Sequence, residues 1–177
     1  MKIWLAGALL FGLLEVHAQK MVVAQSKVSF FSHAPIEDIT ALNTKAAGLF
    51  NSATGDIAFS IPIREFQFEK ALMQEHFNEK YMESEKFPKA TFQGKIVGFD
   101  AAASGTQAVR AQGKFTVHGV VRDVEIPGTI EGVSDELRVK ALFKVKLEDH
   151  KITRPQILWQ NIAEEVEVTV EFTFRKQ

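Results

Sequence analysis

The side chains that most often carry chemistry are sparse in this sequence and poorly spaced for it. Its 177 residues include no cysteine. That excludes thiol nucleophiles, disulfides, cysteine-zinc and iron–sulfur sites, and lipid attachment through an N-terminal cysteine. Five histidines occur, His17, His33, His76, His118 and His150, and no two of them have metal-site spacing. Glu75-His76-x-x-Glu79 superficially resembles a metal-binding helix. A zinc site usually takes three protein ligands, however, and its strong helical signature is two histidines on one face. Consecutive Glu75 and His76 would point about 100° apart on a helix. We therefore expect no metal and no other cofactor, with His76 a partly buried, hydrogen-bonded residue. Asp149-His150 is a lone pair near a strand end. The Gly-x-Ser-x-Gly turn of a serine hydrolase is missing. So is a glycine-rich phosphate loop, because Gly94, Gly98 and Gly105 lie in or between strand candidates. The paired Glu164-Glu165 falls where an outward strand face begins. These residues leave one enzymatic alternative open: action on a hydrophobic substrate with His76 or His118 as base.

Phenylalanine says more. There are 15, and many lie on alternating segments, the period of half-buried strands. Ile57, Phe59, Ile61 and Ile63 share one parity. So do Leu137, Val139, Ala141, Phe143, Val145 and Leu147, with Arg138, Lys140, Leu142, Lys144 and Lys146 between them. Val166, Val168, Val170, Phe172 and Phe174 repeat the pattern against an outer face rich in Glu. If these last two strands are antiparallel neighbours, their outer charges make cross-strand pairs worth at most about 1 kcal/mol each. Further strand candidates are 27–33, 46–50, 90–98, 107–118 and 123–132, separated by turn signals at 51–55, 100–105, 119–122 and 132–135. The apolar parity is odd before the Gly119–Arg122 signal (Phe115, Val117) and even after it (Val124, Ile126), so a hairpin turn or bulge must reset the register there. The pattern predicts an all-β domain: about eight strands in an antiparallel sheet closed on itself.

One stretch breaks the alternation. Lys70 to Glu85 contains no Gly or Pro and carries Leu72, Met73, His76, Phe77 and Tyr81 at helical spacing. It predicts one or two short helices, stopped by Pro88, that cap or wall the barrel mouth. Small residues recur on inward faces: Ala90, Gly94 and Gly98 with Phe92 and Ile96; Ala111 and Gly113 with Val109, Phe115 and Val117; Ala141 beside Val139 and Phe143. Periodicity alone allows two readings. The aromatics fill the narrow interior of an eight-stranded barrel, or the small residues leave an apolar volume suited to a greasy ligand. In the second case the expected lining is Phe30, Phe59, Ile61, Leu72, Met73, Phe77, Phe92, Ile96, Phe115, Val117, Val139, Phe143, Val170 and Phe172.

Charge and the N-terminus bound the setting. The 21 Lys and Arg against 22 Asp and Glu give a formal charge of −1, without the basic footprint of a nucleic-acid binder or a polybasic run for anionic lipid. Lys2, the apolar run Ile3–Leu14 and the small residues up to Ala18 have the grammar of a secretory signal peptide. The run is too short for a membrane span, and no later segment is long enough for one. We expect a leader over 1–18 and a single exported domain over 19–177, periplasmic or secreted, with Ala24 as a second cleavage position. The charged faces do not decide between monomer and dimer.

Two blocks carry a family resemblance. Leu72-Met73-Gln74-Glu75-His76-Phe77, Tyr81 and Glu85-Lys86-Phe87-Pro88-Lys89-Ala90-Thr91-Phe92 form the first; Gly113-Lys114-Phe115-Thr116-Val117-His118-Gly119-Val120, with Val124, forms the second. With Ser26–Phe31 and the stretch from Asp149 to Pro155 they cover essentially residues 22–175 and resemble the YceI-like family. Val121-Arg122-Asp123 stands where many members carry Thr-Lys-Pro. That departure changes turn chemistry and not the fold. The resemblance implies an eight-stranded, lipocalin-like barrel. It implies an apolar tunnel holding a polyisoprenoid, an isoprenoid quinone-like lipid or another long-chain amphiphile. It implies bacterial export and structural roles for Pro88 and Gly119, and it brings no catalytic residue.

Overall fold

The structure, a computed structural model, describes residues 20–33, 38–153 and 163–177; the expected leader lies outside them. Ten strand segments follow in order: β1 Lys20–Ser32, β2 Ile39–Asn43, β3 Ala47–Asn51, β4 Asp56–Pro62, β5 Gln67–Phe68, β6 Lys89–Val97, β7 Thr106–Val117, β8 Val120–Val133, β9 Glu136–Lys146 and β10 Glu165–Lys176. A six-residue helix, α1 Ala71–His76, and a π-helical turn, Phe77–Tyr81, sit between β5 and β6. All pairings are antiparallel, and β10 pairs back onto β1 to close the sheet. One edge of β1 takes β3 at Lys20–Val22 and β2 at Val28–Ser32. Thus β2 and β3 form one interrupted stave, and β4 with β5 another. The result is a closed antiparallel barrel of eight staves.

The two short segments β2 and β5 carry too few alternations to be visible as strands. The break between β2 and β3 is held by polar side chains. Fully buried Asn43 donates through Nδ2 to the Pro62 carbonyl (2.7 Å) and accepts from the Lys45 amide (2.8 Å). Ser26 Oγ accepts from the Ala46 amide (3.1 Å). Backbone groups that lose their ladder partners at the break thus find side-chain ones.

The parity reset is a two-residue hairpin at His118-Gly119, one position earlier than the sequence signal, so β8 begins at Val120. Val117 pairs with Val120, which sets odd positions of β7 opposite even positions of β8. Both turn residues have positive φ, 50° and 72°, as the type I′ connection requires. The cationic face of β9 meets the anionic face of β10 as expected: Lys140 pairs with Glu171 (3.3 Å) and Lys144 with Glu165 (3.0 Å). Of the four phenylalanines central to the register, Phe92, Phe115 and Phe172 are buried and Phe143 is half-buried.

The inward glycines do something other than leave space. Gly94 pairs with Gly113 across β6 and β7. A Cβ on Gly94 would lie 2.8 Å from the Gly113 Cα and press on the Gln112 carbonyl. These glycines let two backbones approach, while the neighbouring volume is filled by Phe59 packed on Phe92 (centroids 5.3 Å) and Phe172 (5.2 Å).

Candidate functional site

The barrel interior divides into two halves along its axis. Around Phe59, Phe92, Phe172 and Phe174 it is solid with aromatic packing. In the half nearest α1 it holds an apolar cavity of about 100 Å³. The wall is built from β1 (Val28, Phe30), β4 and the residue after it (Ile61, Ile63), β6 (Ala90), β7 (Phe115, Val117), β9 (Val145), β10 (Val166, Val168) and the segment after β9 (Leu147, Ile152). Phe66, Phe77, Tyr81 and Met82 close it from the helical side. Among the described residues, no charged side chain lines it. Left empty, a void of this size costs about 2.4 kcal/mol at 24 cal/mol per Å³.

The lid is a knot of phenylalanines. Phe77 stacks on Phe30 (5.4 Å) and meets Phe66 (5.5 Å) and Phe68 (5.0 Å) at an angle. The π-helical turn places it there. Met82 donates its amide to the Phe77 carbonyl (2.8 Å), a five-residue step, so these two residues face inward together and both are buried.

Of the residues expected to line a tunnel, Phe30, Ile61, Phe77, Phe115 and Val117 border this cavity. Ile96, Val139 and Val170 are buried elsewhere in the core, with Phe59, Phe92 and Phe172 in the solid half. Phe143 is half-buried in the wall and packs edge-on against Phe115 (5.9 Å). Leu72 corrects the expectation outright: it is 61% exposed. Met73 is only half-buried and does not border the cavity. The physical reason is that α1 lasts six residues and buries none of them. The chain turns inward only where the π-helical turn begins, which breaks the 3.6-residue spacing that placed Leu72 and Phe77 on one face. The lining residues outside that expectation, Phe66, Tyr81 and Met82 on the lid and Val28, Ile63, Ala90, Val145, Leu147, Ile152, Val166 and Val168 on the wall, differ in legibility. Ile63 and those on β9 and β10 share the inward parity already visible in sequence, and Tyr81 the helical spacing; Phe66 and Met82 carry no periodic signal.

The histidines have separate settings. His76 is half-buried on α1. The His118 side chain is 8% exposed. Its ring nitrogens meet two acceptors, the His150 carbonyl (3.1 Å) and Glu83 Oε2 (3.0 Å), and the Phe87 ring packs against it (4.4 Å). These contacts hold a non-glycine residue at positive φ in the hairpin. They also occupy both nitrogens of the residue considered as a base. Next to it, a Cβ on Gly119 would lie 2.5 Å from a Phe87 ring carbon, so both the turn and the ring require glycine. His150 is buried, and its Nδ1 has no hydrogen-bond partner among the described residues. Burial pushes its ionisation below the ordinary histidine value, opposed by hydrogen bonding to the Val120 and Val117 backbones. Arg122 clamps the adjoining turn by donating to the Asp149 carbonyl (2.9 Å) and side chain (3.0 Å). Among the described residues, no three His, Asp or Glu side chains converge as a metal site, and no helix is long and apolar enough to cross a membrane.

Fold and cavity together define a small closed β-barrel with an apolar site under an aromatic lid. The chain belongs to the YceI-like family, whose domain matches residues 20–174. Similar solved structures agree on the fold. A polyisoprenoid binding domain from Saccharophagus degradans, implicated in plant cell wall breakdown, superposes with a TM-score of 0.77 at 14% identity, covering 90% of this chain and 99% of that one. BcnA of Burkholderia cenocepacia gives 0.68 at 19% identity, covering 84% and 95%. A YceI protein of Campylobacter jejuni gives 0.66 at 18% identity, covering 82% and 89%. No curated protein matches the sequence.

Proposed function

We propose that this protein is an exported carrier that holds one long-chain isoprenoid, a polyisoprenoid or isoprenoid quinone-like lipid, in the barrel interior. The observation that carries the reading is the cavity itself: lined, among the described residues, without a charged side chain, and under a lid of mutually packed phenylalanines. The similar S. degradans domain, a polyisoprenoid binding domain, supports the same class of ligand. At about 100 Å³ the cavity is well below the roughly 300–1,000 Å³ of ordinary ligand sites. A long chain needs more room than this cavity offers, and it enters by displacing Phe77 and its neighbours. Binding then scales with buried apolar area, about 25 cal/mol per Å², and rises with chain length until the widened tunnel is full.

Mass spectrometry of an organic extract of the natively purified protein tests this. A stoichiometric long-chain isoprenoid is expected; an extract without lipid, from protein that also takes up none, rejects the reading. For export we favour cleavage after Ala18. Cleavage after Ala24 would remove Met21, which is 3% exposed and pairs with both β3 and β10. N-terminal sequencing of the mature protein decides this, and an N-terminus at residue 25 would overturn it.

A further inference from the structure

Among the described residues, the barrel wall is parted between β8 and β9. β8 and β9 pair only from Gly128–Ala141 to Val133–Glu136. Below that, β8 from Val120 to Pro127 pairs with β7 alone, and β9 from Leu142 to Lys146 pairs with β10 alone. A groove of about 350 Å³ occupies the parting. Phe115 and Val145 line both this groove and the interior cavity, so one layer of side chain separates them. The Phe115 ring stands between, edge-on to Phe143 (5.9 Å) and to His150 (5.8 Å). His150, 4% exposed, is one of its lining residues, and its Nδ1 is unpartnered among the described residues. Arg122, Lys144 and Lys146 stand on the rim, with Asp123, Glu125 and Asp149.

A buried nitrogen without a partner leaves part of its hydrogen-bonding capacity unused. Burial pushes the ionisation of His150 below the ordinary histidine value, which favours the neutral ring with a single proton. With that proton on Nε2, Nδ1 offers a lone pair. What it lacks is a donor. An ether or a quinone carbonyl brings only acceptors; an alcohol or a hydroquinone brings an O–H.

We propose that the parting between β8 and β9 is the head-group site of the bound amphiphile, and that His150 Nδ1 there accepts a hydrogen bond from its hydroxyl. The chain then runs past Phe115 into the interior. The ligand class narrows to hydroxyl-headed isoprenoids, polyprenols or hydroquinones, over their ethers and oxidised forms. This rests on the lipid-carrier reading and is tested separately from it.

Nonaprenol and nonaprenyl methyl ether are titrated into delipidated full-length protein, wild type and His150→Phe. One hydrogen bond to an otherwise orphaned acceptor predicts about tenfold tighter binding of the alcohol by wild type. In His150→Phe the preference should fall to about one, with ether affinity kept within about twofold. Equal affinities for both lipids in wild type, the result if a trapped water serves Nδ1, would overturn the head-group assignment and leave the carrier reading intact. Binding of neither lipid would overturn the carrier reading itself. Should His150→Phe fail to fold, the nitrogen-15 resonance of His150 Nδ1 in wild type gives an independent readout. It should move on adding the alcohol and stay with the ether; a resonance indifferent to both overturns the proposal.

Discussion

Filling the cavity should stabilise the protein and disarm it at once. Ala90 lies on β6 opposite Ile61, 6% exposed, with its methyl group at the cavity wall. Ala90→Ile adds three carbons, worth about 2.4 kcal/mol at about 0.8 kcal/mol each when fully buried. The void supplies an independent ceiling of the same size, because about 100 Å³ at 24 cal/mol per Å³ is again about 2.4 kcal/mol. Isoleucine suits a strand, and its chief cost is imperfect fit, which brings the expected gain in the unloaded protein to about 1–2 kcal/mol. Urea unfolding of delipidated wild type and variant measures this as a rise in midpoint at constant slope. Lipid retention is measured on the same samples and should drop at least tenfold. A variant that is stabilised and still binds isoprenoid like wild type would show that the ligand does not use this cavity. A variant destabilised by several kcal/mol would show that the space is not there to be filled.

Other outcomes follow from the same contacts. Phe77→Ala removes the centre of the lid and should cost the unloaded protein about 3–5 kcal/mol, with much of the loss recovered on adding a polyprenol; equal loss with and without lipid in thermal unfolding would exclude a lid at the binding site. Gly94→Ala has no room against the Gly113 backbone and should cost about 1–3 kcal/mol in urea unfolding. His118→Ala loses the contacts to Glu83 and the His150 carbonyl and should cost about 2–3 kcal/mol in thermal unfolding, whereas Leu72→Asp on the exposed helix should stay within about 0.5 kcal/mol. His150 sets a pH dependence: the unfolded chain takes up a proton as pH falls below about 6.5 while the folded chain, its His150 value lowered, does not. Stability should therefore fall with pH from about 6.5 until the folded value is passed, and the His150→Phe variant should lose that component of the slope.

Strand parity was legible in the sequence because a pleated strand offers two faces and water makes them chemically different. That local rule separated Val166, Val168, Val170, Phe172 and Phe174 from the glutamates between them, and it identified the reset between Val117 and Val124. It also gave the charge complementarity of β9 and β10 before their pairing was known. Parity says nothing about height along the barrel axis. Only the closed sheet decides that Val166 and Val168 border a cavity while Phe172 and Phe174 pack solid. Height depends on the stagger of every pair around the ring, from Met21–Lys176 to Gly128–Ala141, and no local pattern encodes it. Gly94 and Gly113 were visible as small residues on inward faces. Their meaning, a close approach of two backbones, needed the register that sets them opposite each other. The lid departs from its sequence pattern for a related reason. A 3.6-residue period assumes a regular helix, and this one gives way to a π-helical turn at Phe77 that buries Phe77 and Met82 and leaves Leu72 in water. The parting between β8 and β9, with His150 among its lining residues, has no sequence signature at all. It arises where two long strands diverge to close a curved wall, which is a property of the whole barrel and of no single segment in it.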